Sequence, residues 1–414
     1  MLCLDIAFYS FATTLVSITT ILPTYIRHLT TSNLAIGALS ALATAGFALP
    51  NLFFAPIAER VVSKKRLILW VTPGERIPYL ILAVVAATLA VSHPGTALLL
   101  TFLLISIFAG TGGALTPAWL DLIARAIPVR RRGAFFGRSN ALAGLMGIGG
   151  ALLSQRLLDA GGFPDGYVHL FLIAFVPVMV SYGFFALNRE QGPLRQKSRE
   201  PVTQWVRRLP GIVARDRNFS WYLLAAMAGS LANAASGFFM VVAIGRLGIG
   251  DREAGWYTAV LLTAQTAINL LWGHLADRRG HKVVLIGGAV AIELAIPAAL
   301  LLPNAASYAL VFALLGAAAS ANALSRFAIM LEFAPEDRRP TYVGLASVAG
   351  APMALTGPLL GGWLADHAGF PAAFAVFWVA GLVALWILAR RVREPRPRID
   401  LDHVEMGATS NAAV

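Results

Sequence analysis

Glu75, Arg76 and Glu293 differ most from their surroundings, because each interrupts a long run of apolar side chains. Glu75 and Arg76 lie nine and ten positions past Arg66, and Glu293 lies eleven past Lys282. At 1.5 Å per helical residue these depths are on the order of 15 Å. A charge at that depth in hydrocarbon is costly, and such residues commonly mark ion or solute pathways. A buried carboxylate can hold a proton, so Glu75 or Glu293 is a candidate coupling site. The alternative is a set of internal ion pairs that clamp helices together. Adjacent helical residues point about 100° apart, so Glu75 and Arg76 are expected to find partners on other helices. Asp121 and Arg125, four apart on one face, read as structural partners for Glu59. Asp5 reads as a solvated group at a helix edge.

Other polar residues are uncharged and periodic. Ser10, Thr13, Ser17, Thr20 and Thr24 recur at steps of three and four, which places them on one helix face. Weaker stripes are Ser106, Thr111, Thr116 and Trp119; Ser230, Asn233 and Gly237; and Ser320, Asn322, Ser325 and Arg326. Such groups either face a solute path or bond one helix to the next.

The elements that carry these residues follow from composition. The 414-residue chain is 57% hydrophobic and only 13% charged, against about 25% charged in soluble domains. The apolar residues form blocks near the 20 or so needed to cross a bilayer as a helix. Twelve are expected, spans one to twelve: 4–25, 34–58, 67–91, 97–127, 136–158, 168–187, 219–244, 255–275, 283–302, 306–333, 342–365 and 372–388. Barrel strands would alternate apolar and polar residues, whereas 80–90 is apolar at nearly every position. Span one lacks a basic leader and a small-residue cleavage site, so it is expected to be retained. The fold class is therefore all-α integral membrane.

Charge sets the orientation. With the N-terminus in the cytoplasm, only Arg27, Arg156, Arg246 and Arg252 of the 33 Lys and Arg fall on the outer side, and Arg76 and Arg326 within spans. The positive-inside rule then puts both termini in the cytoplasm of a cell-membrane protein. The net charge of +12 needs no nucleic-acid partner, since anionic lipid headgroups account for it. The single Cys3 excludes an internal disulfide, and no Cys/His spacing suits zinc. No metal and no cofactor is expected.

The chain also repeats itself. At an offset of 207, Pro128 matches Pro335, Gly137 Gly344, Gly150 Gly357 and Asp159 Asp366, and Gly162-Phe163-Pro164 matches Gly369-Phe370-Pro371. Earlier in each half the offset is 218, matching Asn51 with Asn269, Arg60 with Arg278 and Glu75 with Glu293. Two six-helix bundles are expected, residues 1–187 and 219–392. Between them lies the basic linker 188–218. There Val202, Trp205, Val206, Leu209, Ile212 and Val213 suggest an amphipathic helix on the inner leaflet. The tail 393–414 is expected to be disordered.

Between spans eight and nine stands Gly273-His274-Leu275-Ala276-Asp277-Arg278-Arg279-Gly280-His281-Lys282. This resembles the loop motif of the major facilitator superfamily, Gly-x-x-x-Asp-Arg-x-Gly followed by basic residues. The first-half counterpart around Glu59 and Arg60, followed by Lys64, Lys65 and Arg66, is degenerate. Gly357-Pro358-Leu359-Leu360-Gly361-Gly362 resembles a second superfamily string, but in span eleven and not span five, where exporter-type members carry it.

The resemblance implies secondary transport of a small solute by alternating access between two bundles, commonly coupled to protons. It implies that spans one, four, seven and ten line the cavity. The candidate site is then Ser10, Thr13, Ser17, Thr20, Asn51, Trp119, Ser230, Asn233, Asn269, Asn322 and Arg326. Except for Arg326 these are neutral, so a neutral or amphipathic solute is expected. It places spans three and nine at the bundle periphery, which favours a structural role for Glu75, Arg76 and Glu293. It implies a gating role for Glu59, Arg60, Gly273, Asp277, Arg278, Gly280 and Lys282. In that role Asp277 faces the start of span eleven, with Arg326 as a candidate partner and Gly273 permitting close helix approach. A lipid-embedded monomer is expected.

Two other classes fit the sequence less well. A membrane-embedded enzyme is disfavoured because no His-Glu-x-x-His, Gly-x-Ser-x-Gly or phosphate-cradling string occurs. A transporter-like receptor or assembly factor should lose its polar interior or gain a soluble domain, and this chain does neither.

Overall fold

The computed structural model describes residues 1–61, 63–127, 129–188, 190, 215–333 and 339–395; among them the regular structure is helical throughout. Ten helices are long and apolar enough to cross a membrane. One of these, Arg339–Arg390, turns back at Gly369 (φ 80°, ψ 166°) and holds spans eleven and twelve. Span one is built from Leu2–Leu15 and Ile21–Leu29, each too short to cross alone. The described crossings thus reach the expected twelve.

Sequence explains where the helices start and stop. Ser32 and Ser63 cap spans two and three, accepting bonds from the N–H groups of Ala35 (3.4 Å) and Arg66 (3.2 Å). Asp216 caps span seven by accepting from Phe219 N–H at 2.9 Å. Gly248 and Gly280 end spans seven and eight at φ 61° and 86°, a region that favours glycine. Span three breaks after Val71 and resumes at Pro73, where proline lacks the N–H a continuous helix needs.

The repeat is visible in backbone as well as sequence. Span one stops at Leu15 and resumes at Ile21; span seven stops at Asn233 and resumes at Phe239, through a 3-10 turn at Ala234–Gly237. Both edges of the break are 218 apart, the offset that matches Glu75 to Glu293.

We call the end carrying residues 188 and 217 the near end and the opposite one the far end. At the far end one apolar core joins both halves, running from Ile21, Tyr25 and Phe171 to Phe239, Tyr257, Phe312 and Phe374. At the near end the core divides. Ile68, Leu115, Leu122 and Phe185 pack within the first half, and Phe219, Tyr222, Met330 and Tyr342 within the second.

Helices of the two halves touch where glycine leaves room. Gly37 of span two lies against the carbonyl of Pro358 in span eleven, and Gly255 of span eight against the backbone of Gln155 in span five. Gly37 and Gly255 are repeat mates, so the two crossings are one contact used twice. The linker helix expected over 202–213 and the tail beyond 395 lie outside the described residues.

Candidate functional site

Among the described residues, three of the cavities between the helices concern the expected site. The first, about 310 Å³, sits on the seam; Tyr9, Thr13, Thr14 and Ser17 of span one face Tyr79, Phe108, Thr258 and Leu262. The second, about 380 Å³, lies within the second half and carries Ser230, Asn233, Glu293, Asn322 and Arg326. The third, about 260 Å³, lies within the first half and carries Asp5, Tyr9, Glu75, Arg76 and Trp119.

The expected solute-facing residues divide between these cavities and helix contacts. Thr13, Ser17, Trp119, Ser230, Asn233, Asn322 and Arg326 line cavities. Ser10 instead donates to the Ala143 carbonyl of span five at 2.9 Å. Thr20 is fully buried and bonds Thr258 across the seam at 2.5 Å. Asn269 accepts from Ser320 at 3.3 Å, and Asn51 lines none of the three cavities. The polar stripe of span one is therefore split by the helix break: its middle faces a cavity and Thr20 joins the halves.

The two repeat-related carboxylates sit in opposite circumstances. Glu75 accepts a hydrogen bond from Tyr9 and an ion pair from Arg76 at 3.4 Å. Arg76 also bonds Thr72, and its guanidinium lies 5.4 Å from the centre of the Tyr182 ring. Adjacent residues were expected to look elsewhere for partners. They pair because the long arginine side chain turns back toward Thr72 one turn earlier. Glu293 is only 6% exposed, yet neither carboxylate oxygen has a hydrogen-bond partner among the described residues. The repeat places Leu294, Val290 and Met227 where the first half has Arg76, Thr72 and Tyr9. Each partner of Glu75 has been replaced by an apolar side chain.

Three further expectations are corrected. Asp5 is buried and accepts from Ser181 at 2.6 Å, so it is not a solvated edge group. A Cβ built on Gly273 meets nothing within 4 Å, so this glycine does not serve close helix approach in this conformation. Arg326 lines the second cavity, and among the described residues no ion pair joins it to Asp277. Asp121 lies 3.8 Å from Lys64, while the side chains of Glu59, Arg60 and Arg125 lie outside the described residues.

The loop motif holds the near end of the second half. Glu394 accepts from the Lys282 N–H at 3.0 Å, and its carboxylate fills the space a Cβ on Gly280 would occupy. Burial pushes the Glu394 carboxyl above its ordinary range. The Lys282 ammonium donates to the Ala389 carbonyl at 3.1 Å. The side chains of Asp277 and Arg278 are exposed.

The far-end seam was missing from the sequence reading. Asp366, at the end of span eleven, accepts from the N–H groups of Asn33 (2.8 Å) and Leu34 (2.9 Å) and from the Ser32 hydroxyl (3.1 Å). It therefore sits on the positive end of span two. Its repeat mate Asp159, on span five, faces Arg252 at the start of span eight at 3.7 Å. His28 and Asp251 meet at 2.7 Å. The match of Asp159 with Asp366 was the available sequence signal.

The described residues thus form twelve helical crossings in two related halves, with cavities on and beside the seam. The family model for the Major Facilitator Superfamily matches residues 2–250 and again 222–408, and the chain belongs to that superfamily. It is similar to multidrug resistance protein MdtG of Dickeya zeae, 29% identical over 171 residues, covering 39% of this chain and 41% of that protein. It is also similar to the multi-drug resistance efflux pump PmrA of Streptococcus pneumoniae, 27% identical over 141 residues, covering 33% and 35%. The matched stretch spans less than half of either relative. Among solved structures, a D-xylose-proton symporter superposes with a TM-score of 0.70 at 14% identity, covering 95% of this chain and 97% of that one. The nucleoside transporter NupG (D323A mutant) gives 0.70 at 14%, covering 94% and 98%. At such identity these structures speak for the fold alone.

Proposed function

We propose that the protein is a secondary active transporter that moves a small neutral or amphipathic solute by alternating access, coupled to protons. In this reading the bundles 1–187 and 219–392 rock about the seam, and the conformation described is shut at the far end. One observation carries the reading. The apolar core is continuous across the halves at the far end and divided at the near end. Among the described residues, the hydrogen bonds and ion pairs that link the halves also lie between the mid-seam Thr20–Thr258 contact and the far end. A packed seam on one side and separate cores on the other make a two-state interface, which alternating access requires. The distribution of Lys and Arg makes the near end cytoplasmic, so the solute path opens inward and the termini are inside the cell. The loop motif around Asp277 and Gly280 then lies at the open gate.

The test is flux. Reconstituted vesicles under an imposed proton gradient are screened over solute classes for solute-dependent proton movement, with Glu75→Gln and Glu293→Gln in parallel. We expect at least one class to move protons with the parent chain and at least one variant to uncouple them. Uncoupled solute flux in the parent would remove the proton, and absence of flux across all classes would remove transport.

A further inference from the structure

Both oxygens of Glu293 are buried without a hydrogen-bond partner among the described residues, and the side chain borders a cavity of about 380 Å³. The lining of this cavity combines small and aliphatic groups, among them Ala232, Ile292, Gly381 and Ala384, with the neutral polar Ser230, Asn233 and Asn322. The room is built in. The Glu293 side chain fills the place a Cβ on Gly381 would take, and Trp378 Nε1–H fixes the backbone by donating to the Glu293 carbonyl at 3.1 Å. An ionised acid in such a wall is costly unless it takes up a proton or an opposite charge arrives from outside the chain.

The chemistry of the wall selects among cations. A hard metal ion such as Ca2+ takes six or more oxygen ligands, and among the described residues no group of three or more His, Cys, Asp or Glu could hold a metal. An organic ammonium needs one carboxylate and apolar surface for its body, and both are present. The cavity's own cation, Arg326, is not a partner of Glu293. Ser325, the neighbour of Arg326, bonds His281 at 3.1 Å at the start of span nine, and Glu293 lies twelve residues further along, on the order of 18 Å. Arg326 therefore leaves Glu293 for another positive group. The first half has no such vacancy, because Tyr9 and Arg76 occupy Glu75.

We propose that Glu293 is the anchor for the nitrogen of an amphipathic ammonium solute, whose apolar body lies along the wall of the second cavity. This deepens the transport reading and rests on it only for what happens after binding. The test is therefore made at equilibrium, without a gradient, so that binding and flux can fail separately.

The full chain in lipid nanodiscs is titrated with 4-phenylbutylamine, 4-phenylbutan-1-ol and 4-phenylbutyrate, which share one body and differ in charge; empty nanodiscs give the lipid background. We expect the amine, protonated at neutral pH, to bind at least about tenfold more tightly than the alcohol, the alcohol to exceed the acid, and Glu293→Gln to erase the preference for the amine. Glu293→Asp should keep part of it, and Asp165→Asn, a distant acid at the start of span six, should keep all of it. Equal binding of amine and alcohol by the parent, or an unchanged preference in Glu293→Gln, overturns the proposal. So does an amine-induced proton release in nanodiscs without retained amine, which would make Glu293 a proton site alone.

Discussion

Glu75 and Glu293 show how far a side chain's meaning depends on its immediate partners. Both occupy the same place in their halves, and both are buried. Glu75 belongs to a network with Tyr9, Arg76 and Thr72, whereas the Glu293 carboxylate has no hydrogen-bond partner among the described residues. Removing one member of a buried pair leaves the other uncompensated, a loss of about 3–5 kcal/mol. Glu75→Gln should therefore lower thermal stability by several degrees, with Arg76 left as the stranded charge. Glu293→Gln should cost nothing or raise stability, since no bond is lost and an orphan acid is removed. Thermal unfolding of the two variants in one detergent checks this. Equal destabilisation would mean that Glu293 has a structural partner. The sequence revealed both carboxylates, because a charge within an apolar run needs no structure to be seen. It hid their difference, because the arginine rotamer and the reach of Tyr9 from another helix are set by packing. Tyr9 also borders two cavities, and nothing in a lone tyrosine within an apolar run announces that.

Helix ends decide how the halves meet. Asp366 caps span two from across the seam, and Gly37 lets span eleven approach span two at its Pro358 carbonyl. A carboxylate on a helix N-terminus contributes up to about 2 kcal/mol in a partly buried setting. Asp366→Asn should shift the balance between shut and open far ends by roughly five- to thirtyfold toward open. Gly37→Ala should act in the same direction, since its methyl group meets the Pro358 carbonyl. Spin labels at Gly95 and Ala305, on the far-end turns of opposite halves, would report longer distances in both variants; unchanged distances would show that these contacts do not hold the seam. The helices themselves were legible from apolar length, and the duplicated seam was half legible, through the matched Asp159 and Asp366. The breaks at 16–20 and 234–238 were not. Serines, threonines and alanines there fit a continuous helix as well as a broken one, and only contacts with neighbouring helices settle the choice.

For the whole molecule, the distribution of positive charge gives a prediction independent of solute. In a Cys3→Ser background, a cysteine at Gly95 should react with a membrane-impermeant maleimide on intact cells. One at Arg279 should react only after the membrane is opened. The reverse pattern would invert the topology and make the divided end face outward. Composition and period suffice to read the molecule at this scale, because lipid imposes length and backbone satisfaction on each crossing. Solute chemistry needs the finer scale, where a repeat of nearly identical helices carries non-identical side chains.

The interruptions in spans one and seven have a mechanical consequence. A continuous helix transmits twist from one tip to the other through its ladder of backbone bonds; one interrupted by an irregular or 3-10 turn transmits less. The segments Ile21–Leu29 and Phe239–Leu247 can pivot with the lid they belong to while Leu2–Leu15 and Arg217–Asn233 stay seated beside their cavities. In the proposed transport cycle, parting the lid would then leave the shape of the chamber beneath it intact, so that cargo already held there would not be squeezed out as the door begins to move.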